Sequence, residues 1–365
     1  MKAQFACTLF ALLVISPVIL CEEPAEPWQT TLAQLTETTT ASGAPAGSWL
    51  AATAQAAAAD EVAAEAKAAE EAAPAAGDGP PLPLHTIEGV GGALAVPMGY
   101  LVNRGPEGTV IGKPAASMTY LQLSNKSLAV FAVTETLFRR VELGYALARF
   151  CLGNFSHEVK KASGGTLRIR RQEVNLHNFN ARVLLVEENT KFLGVPLPSI
   201  VAGVQVKVNG GIRGIDDSLE TPNGGHVLSN LGLEHANGVD YVLTMSKTFP
   251  TLFFGRPLIL TAGLRNSKAA GFGYLGFGHE CHTTFECDVA TLLTDWLAVG
   301  YEYRQRKDPY HNMAPLHLGE ESLHAIRAAI IVSPNFTIAG GWAYLGPVGN
   351  TDVDCAWGLQ LKYEF

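Results

Sequence analysis

Apolar side chains alternate with polar or small ones along most of the chain after residue 113. The run 355–365 shows this most clearly, since Trp357 and Leu359 fall on one face of an extended chain while Gln360 and Lys362 fall on the other. Successive side chains of a β-strand point to opposite faces, so each run has one apolar face. The pattern predicts twelve strands, at 114–123, 128–136, 140–150, 175–187, 197–209, 238–248, 257–267, 282–292, 296–306, 323–332, 336–346 and 355–365.

The lengths and spacing of these strands favour a membrane barrel over a soluble sandwich, which would alternate as well. Strands of about 9–11 residues suit a tilted bilayer crossing. Short connections also alternate with long ones, as in outer-membrane barrels. The backbone cannot go unpaired in hydrocarbon, so the strands must close on themselves. We therefore predict an all-β fold, a closed antiparallel transmembrane β-barrel of about 12 strands, formed by residues 114–365.

The chain stops on Phe365, in strand phase with Tyr363 and the apolar residues before it. This ending resembles the C-terminal signature by which outer-membrane barrels are recognised for assembly. Tyr363 and Phe365 are therefore predicted to form the assembly signal. The partners that follow are the barrel-assembly machinery and outer-membrane lipid, and the location is the outer membrane of a diderm bacterium.

Residues 84–113 form a Gly-rich segment that also looks extended, above all at 84–102. A thirteenth wall strand would spoil the even count that bacterial barrels need. We therefore predict that the segment enters the barrel or pairs partially with its wall. The alternative is that it forms a plain first strand and that another strand is miscounted.

The first 83 residues contain no candidate core. Lys2 and the apolar stretch that follows predict a secretory signal peptide over 1–21, with cleavage after Cys21 or, alternatively, lipidation of Cys21. Residues 22–83 are rich in Ala, Glu and Pro and lack large apolar side chains, so we expect a periplasmic tether. The tether is either a disordered linker or a spacer that touches the cell wall.

Charge is concentrated in that tether. The chain has a net charge of -8, and residues 22–85 hold ten acids and one base, whereas residues 86–365 hold 24 of each. The predicted barrel is therefore neutral and has no basic patch, which argues against a nucleic-acid partner.

Several stretches resemble a family of bacterial proteins catalogued as the domain of unknown function numbered three-zero-three-four. They are 85–92 (HTIEGVGG), 134–150 (TETLFRRVELGYALARF), 175–182 (NLHNFNAR), 197–205 (LPSIVAGVQ), 339–346 (AGGWAYLG) and 359–365 (LQLKYEF). The resemblance covers about residues 84–365 and implies an outer-membrane barrel. It implies no activity, and there are no catalytic residues to carry over.

Charged residues on the predicted inner face suggest what the barrel does. They imply a polar lumen, and the leading hypothesis is a narrow channel for small polar solutes. The alternative is a non-conducting structural or anchoring barrel whose interior is closed by salt bridges, because about twelve strands enclose little space. The predicted lumen-lining residues are Glu142, Arg182, Lys207, Arg265, Glu286, Asp288, Glu302, Arg304, Arg327 and Lys362.

Other motifs carry less information, and we expect no enzyme, no cofactor and no metal site. A third hypothesis, a lipid-modifying enzyme using His226 and Ser229, lacks a nucleophile elbow and a placed acid. The motif at 271–276 matches G-x-G-x-x-G without the helix that a dinucleotide site needs. The residues 279–282 (HECH) are potential metal ligands, although four adjacent residues rarely all reach one ion.

Cysteines near the predicted outer mouth are candidates for a disulfide, because exported proteins form them. Cys151, Cys281 and Cys355 allow three pairings, and Cys281–Cys355 is the pairing we predict first. Cys287 falls within a predicted strand and is expected to pack as an apolar residue.

Overall fold

A computed structural model describes residues 83–167, 169, 171–219, 226–307, 319–349 and 351–365. The predicted signal peptide, Cys21 and all but the last residue of the predicted tether lie outside these ranges. Within them, no helix combines the length and the apolar character that a bilayer crossing requires.

Twelve antiparallel strands form a closed barrel, which confirms the predicted fold and strand count. Each strand pairs with the next in the chain, and the last pairs with the first to close the wall. The strands are β1 (Ala115–Leu123), β2 (Lys126–Leu137), β3 (Val141–Cys151), β4 (Glu173–Val186), β5 (Ser199–Asn209), β6 (Asn237–Phe253), β7 (Arg256–Ala269), β8 (Phe277–Leu292), β9 (Leu297–Arg304), β10 (Leu323–Ser333), β11 (Phe336–Tyr344) and β12 (Ala356–Glu364).

The two ends of the barrel differ in their connections. At the end that carries the C-terminus, most strands are joined by turns of a few residues, and we call it the short-turn end. One connection there is longer, at 187–198, and contains the paired two-residue strands Lys191–Phe192 and Val195–Pro196. At the opposite, long-loop end the connections at 152–172, 210–236, 305–322 and 345–355 are long. This asymmetry is typical of outer-membrane barrels.

Short helices, which the sequence analysis did not predict, lie within the long loops. In the described parts of the chain they are α1 (Phe155–Ala162), α2 (Ile212–Ser218) and α3 (Val227–Leu231), and a 3-10 turn spans Gly271–Gly273 in the connection between β7 and β8. Two further pairs of two-residue strands join Leu84–His85 to Gly91–Gly92 and Gly346–Pro347 to Asp352–Val353.

The outer surface of the wall is an apolar belt. Outward side chains in the middle of the strands, such as Phe131, Leu243 and Leu264, are exposed, whereas their inward neighbours in the chain are buried. Aromatic side chains cluster at both rims, for example Tyr301 with His324 at the long-loop end and Tyr363 with Phe365 at the short-turn end. An apolar belt between two aromatic girdles is the surface of a barrel that spans a membrane.

The predicted disulfide between Cys281 and Cys355 is wrong. Both residues are exposed free thiols. Cys281 lies on β8 and Cys355 directly precedes β12, so three wall strands separate them. Adjacent strands lie about 4.7–4.9 Å apart, which puts the two cysteines well beyond the ~7 Å between Cα atoms that a disulfide can bridge.

We expect Leu243→Arg to lower the free energy of unfolding by about 2–4 kcal/mol, the cost of a cation near the bilayer midplane. Leu243 is exposed on the outer face of β6, where it pairs with Leu264 and Ala202 of the neighbouring strands. Urea unfolding from lipid vesicles measures the change. Leu243→Ala removes the same apolar contacts without adding a charge, so equal losses in the two variants would contradict a lipid-facing Leu243.

The occluded lumen as candidate functional site

Residues 83–102, which we call the plug, enter the barrel from the short-turn end, and every one of them is buried. The carbonyl of Pro83 accepts a hydrogen bond from Lys362, and the Tyr100 hydroxyl lies 2.7 Å from the hydroxyl of Thr248, both near the short-turn end. Between these points Glu88 reaches Lys207, close to the other end of β5. The plug therefore runs deep into the lumen and returns, and it is not a first wall strand.

Three cationic side chains of the wall converge on the carboxylate of Glu88. The Lys207 ammonium donates to it at 2.5 Å and the Arg304 guanidinium at 2.8 Å, and a nitrogen of Arg265 lies 3.0 Å away. Asp240 of β6 pairs with Lys207 at 2.7 Å and with Arg265 at 3.1 Å. These side chains are at most 5% exposed. Charges buried away from water are tolerated only when paired, so the plug and the wall neutralise each other.

Two wall glutamates hold the plug by its backbone. Glu302 accepts hydrogen bonds from the N–H groups of residues 94–96 at 2.7–3.0 Å. Glu142 accepts from the N–H groups of Gly91 at 3.0 Å and Val102 at 2.8 Å. Most of the plug is outside any strand ladder, and its buried N–H groups would otherwise lack acceptors. Wall carboxylates supply them.

The wall also supplies donors to the plug carbonyls. Arg182 donates to three of them, including that of Tyr100 at 3.0 Å. The side-chain amide of Asn180 donates to the carbonyls of Glu88 at 2.8 Å and Gly89 at 3.2 Å. The hydrogen bonds from Arg182 are charge-assisted, and such bonds are stronger than neutral ones. The polar inner face is therefore complementary to the fold of the plug.

The plug and the wall make close contact at two glycines, one in the plug and one in the wall. A Cβ added at Gly89 would lie 2.5 Å from the Cβ of Ala146, and Gly89 has a φ of +79° that favours glycine. A Cβ at Gly144 would lie 2.6 Å from the carbonyl oxygen of Gly89. Neither position has room for a side chain, which explains two glycines in the stretches 85–92 and 134–150.

His85 fastens the plug near the short-turn end. Its ring nitrogens lie 2.8 Å from the Ser117 hydroxyl and 2.9 Å from the Thr134 hydroxyl. Its backbone exchanges two hydrogen bonds with the side-chain amide of Gln360, at 2.7 and 3.2 Å. The three partners lie on β1, β2 and β12, so His85 spans the seam where the barrel closes.

A link of residues 103–113 joins the plug to β1 at the short-turn end. Arg104 of this link donates a hydrogen bond to Glu187 at 2.7 Å. That hydrogen bond, and the nearby positive charge, lower the pKa of the Glu187 carboxyl. Both side chains are partly exposed, so the pair contributes little to stability. The firm attachment of the plug lies inside the lumen.

A layer of apolar side chains, which we call the lid, closes the long-loop end. It belongs to one buried cluster that also includes Ile87 of the plug. The lid meets the charged centre at Phe272, whose carbonyl accepts from Lys207 at 3.1 Å and whose ring lies 4.2 Å from the Arg304 guanidinium carbon. The lid is formed by Phe155, Val159, Ile212, Ile215, Leu228, Leu231, Phe272 and Leu275.

All ten residues predicted to line the lumen lie on its inner face, and all are buried, with at most 8% of any residue exposed. The structure joins nine of them in ion pairs with each other or with the plug, and the tenth, Lys362, pairs with Glu364 of β12. Arg327 pairs with Asp288 and lies 3.2 Å from Glu302, Arg265 pairs with Glu286 at 3.2 Å, and Lys362 contacts a carboxylate and a plug carbonyl. In this structure their partners are therefore protein groups.

Glu88, Asp240 and Glu364 are buried acids that were not predicted to line the lumen. A signal for further acids was available, because the ten predicted residues comprise six bases and only four acids. Buried charge needs compensation, so at least two more acids had to face the lumen. Glu88 is the only acid within residues 84–102, and Asp240 falls on the inward face of β6.

The residues of two weaker candidate motifs make contacts that the structure describes. Ser229 donates its hydroxyl to Asp216 at 2.5 Å, and the His226 ring faces the Asp216 backbone carbonyl. Asp216 also accepts from the backbone of α3 at residues 228 and 229, which is a structural cap. The 279–282 stretch lies on β8, where alternate residues face opposite sides. Among the residues that the structure describes, no group of three ligands could hold a metal.

Solved structures with a similar fold include several bacterial outer-membrane proteins. The KdgM porin is 8% identical, with a TM-score of 0.41 over 69% of this chain and 99% of that chain. The COG4313 outer membrane channel from Pseudomonas putida F1 is 12% identical, with a TM-score of 0.38 over 72% and 99%. Outer membrane phospholipase A from Escherichia coli is 8% identical, with a TM-score of 0.30 over 69% and 92%. No curated protein matches the sequence.

A family model matches residues 83–362, from the first residue of the plug almost to the end of β12. The match therefore includes both parts of the occluded lumen, the plug and the wall that holds it. The chain belongs to the family described as protein of unknown function (DUF3034).

Proposed function

We propose that the protein is a gated channel for small polar solutes in the outer membrane of a diderm bacterium, closed by the plug in the form described here. The observation that carries the proposal is the chemistry of the contact between plug and wall. Seven buried charged wall residues contact a segment that enters the lumen from the short-turn end: Glu142, Arg182, Lys207, Arg265, Glu302, Arg304 and Lys362.

Buried charges on the wall are more favourable for a plug that can leave the lumen than for a plug that stays in it permanently. A core that is filled permanently gains little from buried ion pairs, since apolar side chains of similar volume are often as stabilising or more so. If the plug withdraws, water can solvate these charges. An open lumen is therefore less costly with this wall than with an apolar one.

The open pore would be narrow. Barrels of eight strands are filled by their own side chains and those of sixteen to eighteen strands leave wide aqueous channels, so twelve strands enclose an intermediate space. A wall with both signs of charge gives such a pore weak selectivity for charge. Small hydrated solutes are the class that fits.

The second candidate is a non-conducting barrel that anchors the acidic N-terminal tract. The many contacts that hold the plug favour this second candidate. The plug forms hydrogen bonds with four wall side chains at once, those of Glu142, Arg182, Glu302 and Gln360. Such a plug would stay in place and the barrel would serve as a membrane anchor. In either case the barrel-assembly machinery and membrane lipid are the partners we propose, together with the cell wall for the acidic tract.

Deleting residues 83–102 removes the closure at the short-turn end and also removes Ile87 and Ala95 from the apolar cluster that contains the lid. We therefore expect the lid to loosen and the variant to give sustained conductance steps in planar bilayers, where the full chain is closed most of the time. Glu88→Gln is expected to raise the open fraction by about 10² or more, since breaking a buried ion pair costs about 3–5 kcal/mol and each 1.4 kcal/mol is tenfold.

The matched control for the point variant is Glu187→Gln, the same change at the surface of the short-turn end, which should leave the open fraction unchanged. Heat-modifiable migration on gels verifies that each barrel is folded. If the deletion variant is folded and silent, a channel gated by the plug is ruled out and the anchoring barrel is favoured. If the full chain conducts continuously, the plug is not the gate.

Glu302→Gln is expected to accelerate hydrogen exchange at the amides of residues 94–96 by about tenfold or more. The variant weakens three hydrogen bonds to a charged acceptor, each contributing about 1.5–3 kcal/mol. Exchange measured by mass spectrometry on the reconstituted barrel reports the change. Peptides from β1 are the internal reference, and faster exchange there as well would mean that the wall, rather than the plug, has loosened.

A further inference from the structure

An apolar cavity of about 80 Å³ lies in the half of the barrel next to the long-loop end. Three parts of the fold meet there. The plug contributes Ile87 and Leu94, the loop between β7 and β8 contributes Phe272 and Leu275, and the wall contributes residues of β1–β3 and β10–β12 such as Leu128.

The chemistry of the cavity differs from that of the rest of the lumen. Inward positions on this side of the wall are apolar, as at Leu121, Leu123, Phe150, Leu323 and Ala325, whereas the charged centre occupies the side formed by β4–β9. The described lining has one charged side chain, Arg306, which donates to the backbone carbonyls of residues 321 and 345. The cavity is therefore a poor site for an ion or a sugar.

We propose that this cavity is a binding site for a small, uncharged apolar molecule. Water is a poor occupant, because a water molecule needs two to four polar partners and apolar cavities stay dry. An empty apolar cavity destabilises the fold in proportion to its volume. An apolar occupant removes that cost. The volume is smaller than the ~150 Å³ that accommodates benzene in an engineered cavity, so the site takes a molecule smaller than benzene or the end of a larger apolar group.

The membrane is the nearest source of such a molecule. The lining includes Ile326, Trp342 and Trp357, whose side chains are exposed on the outer, lipid-facing side of the wall. At the same level Gly341 pairs with Gly358 across β11 and β12, so the wall carries no side chain there. The missing side chains leave space on the inner side, where a Cβ at these positions would meet Leu94 and Leu121 of the cavity lining.

This inference does not depend on conduction. The cavity lies between the plug, the lid and the wall in the closed form, so a permanently plugged barrel would bind the same molecule. Failure of the channel proposal in a bilayer experiment would leave the cavity site intact, and an unoccupied cavity would leave the channel proposal intact.

Xenon is a suitable probe, because it is apolar, uncharged and consists of a single atom. Crystals of the full chain are pressurised with xenon, and anomalous density locates the bound atoms. We expect a xenon peak between Leu94, Leu128 and Phe272. The peak should disappear in Ala343→Leu, because Ala343 is half-buried and lines the cavity. Val348→Phe fills the cavity from the long loop before β12. If Ala343→Leu does not fold, the loss of the xenon peak is tested with this second variant.

The matched control is Ala181→Leu, which adds the same atoms on the exposed outer face of β4, away from the cavity. Its xenon peak should equal that of the unmodified chain. The absence of a peak in the unmodified chain under pressure, or a peak of the same height in a folded filling variant, would overturn the proposal.

Discussion

A buried charge requires a partner, and this constraint governs the lumen. Lys207, Arg265 and Arg304 converge on Glu88 in the plug, and Asp240 completes their compensation. Removing the plug without admitting water would leave the cations of the wall short of a counter-charge. The position of the plug and the wetting of the lumen are therefore coupled, which is the physical basis of the gating that we propose.

The two ends of the lumen are closed in different ways. The plug combines hydrogen bonds and ion pairs, whose partners water can replace, with apolar clusters that it shares with wall residues such as Ile259 and Leu184. At the long-loop end the lid is held by apolar contacts among α1, α2, α3 and the loop at residue 272. Separating these contacts would expose apolar surface to water, which is unfavourable. The apolar cavity lies beside the lid.

The wall could be predicted because its signal is local. Side chains alternate along each strand with a period of two, so residues such as Glu142, Arg182 and Glu302 are assigned to the inner face by their neighbours in the chain alone. The lid was missed although it had a local signal of its own. Phe155 with Val159, and Ile212 with Ile215 and Leu219, recur at the three- and four-residue spacing of amphipathic helices.

The sequence by itself determined that the chain forms a closed wall with an apolar outside and a charged inside, because alternation and backbone pairing in lipid leave no other arrangement. Only the tertiary structure decided what those charges bind. Glu88 lies more than one hundred residues before Lys207 and Arg304, and no periodicity links them. The disulfide prediction was wrong for the same reason, since the separation of Cys281 and Cys355 depends on which strands lie between them around the barrel.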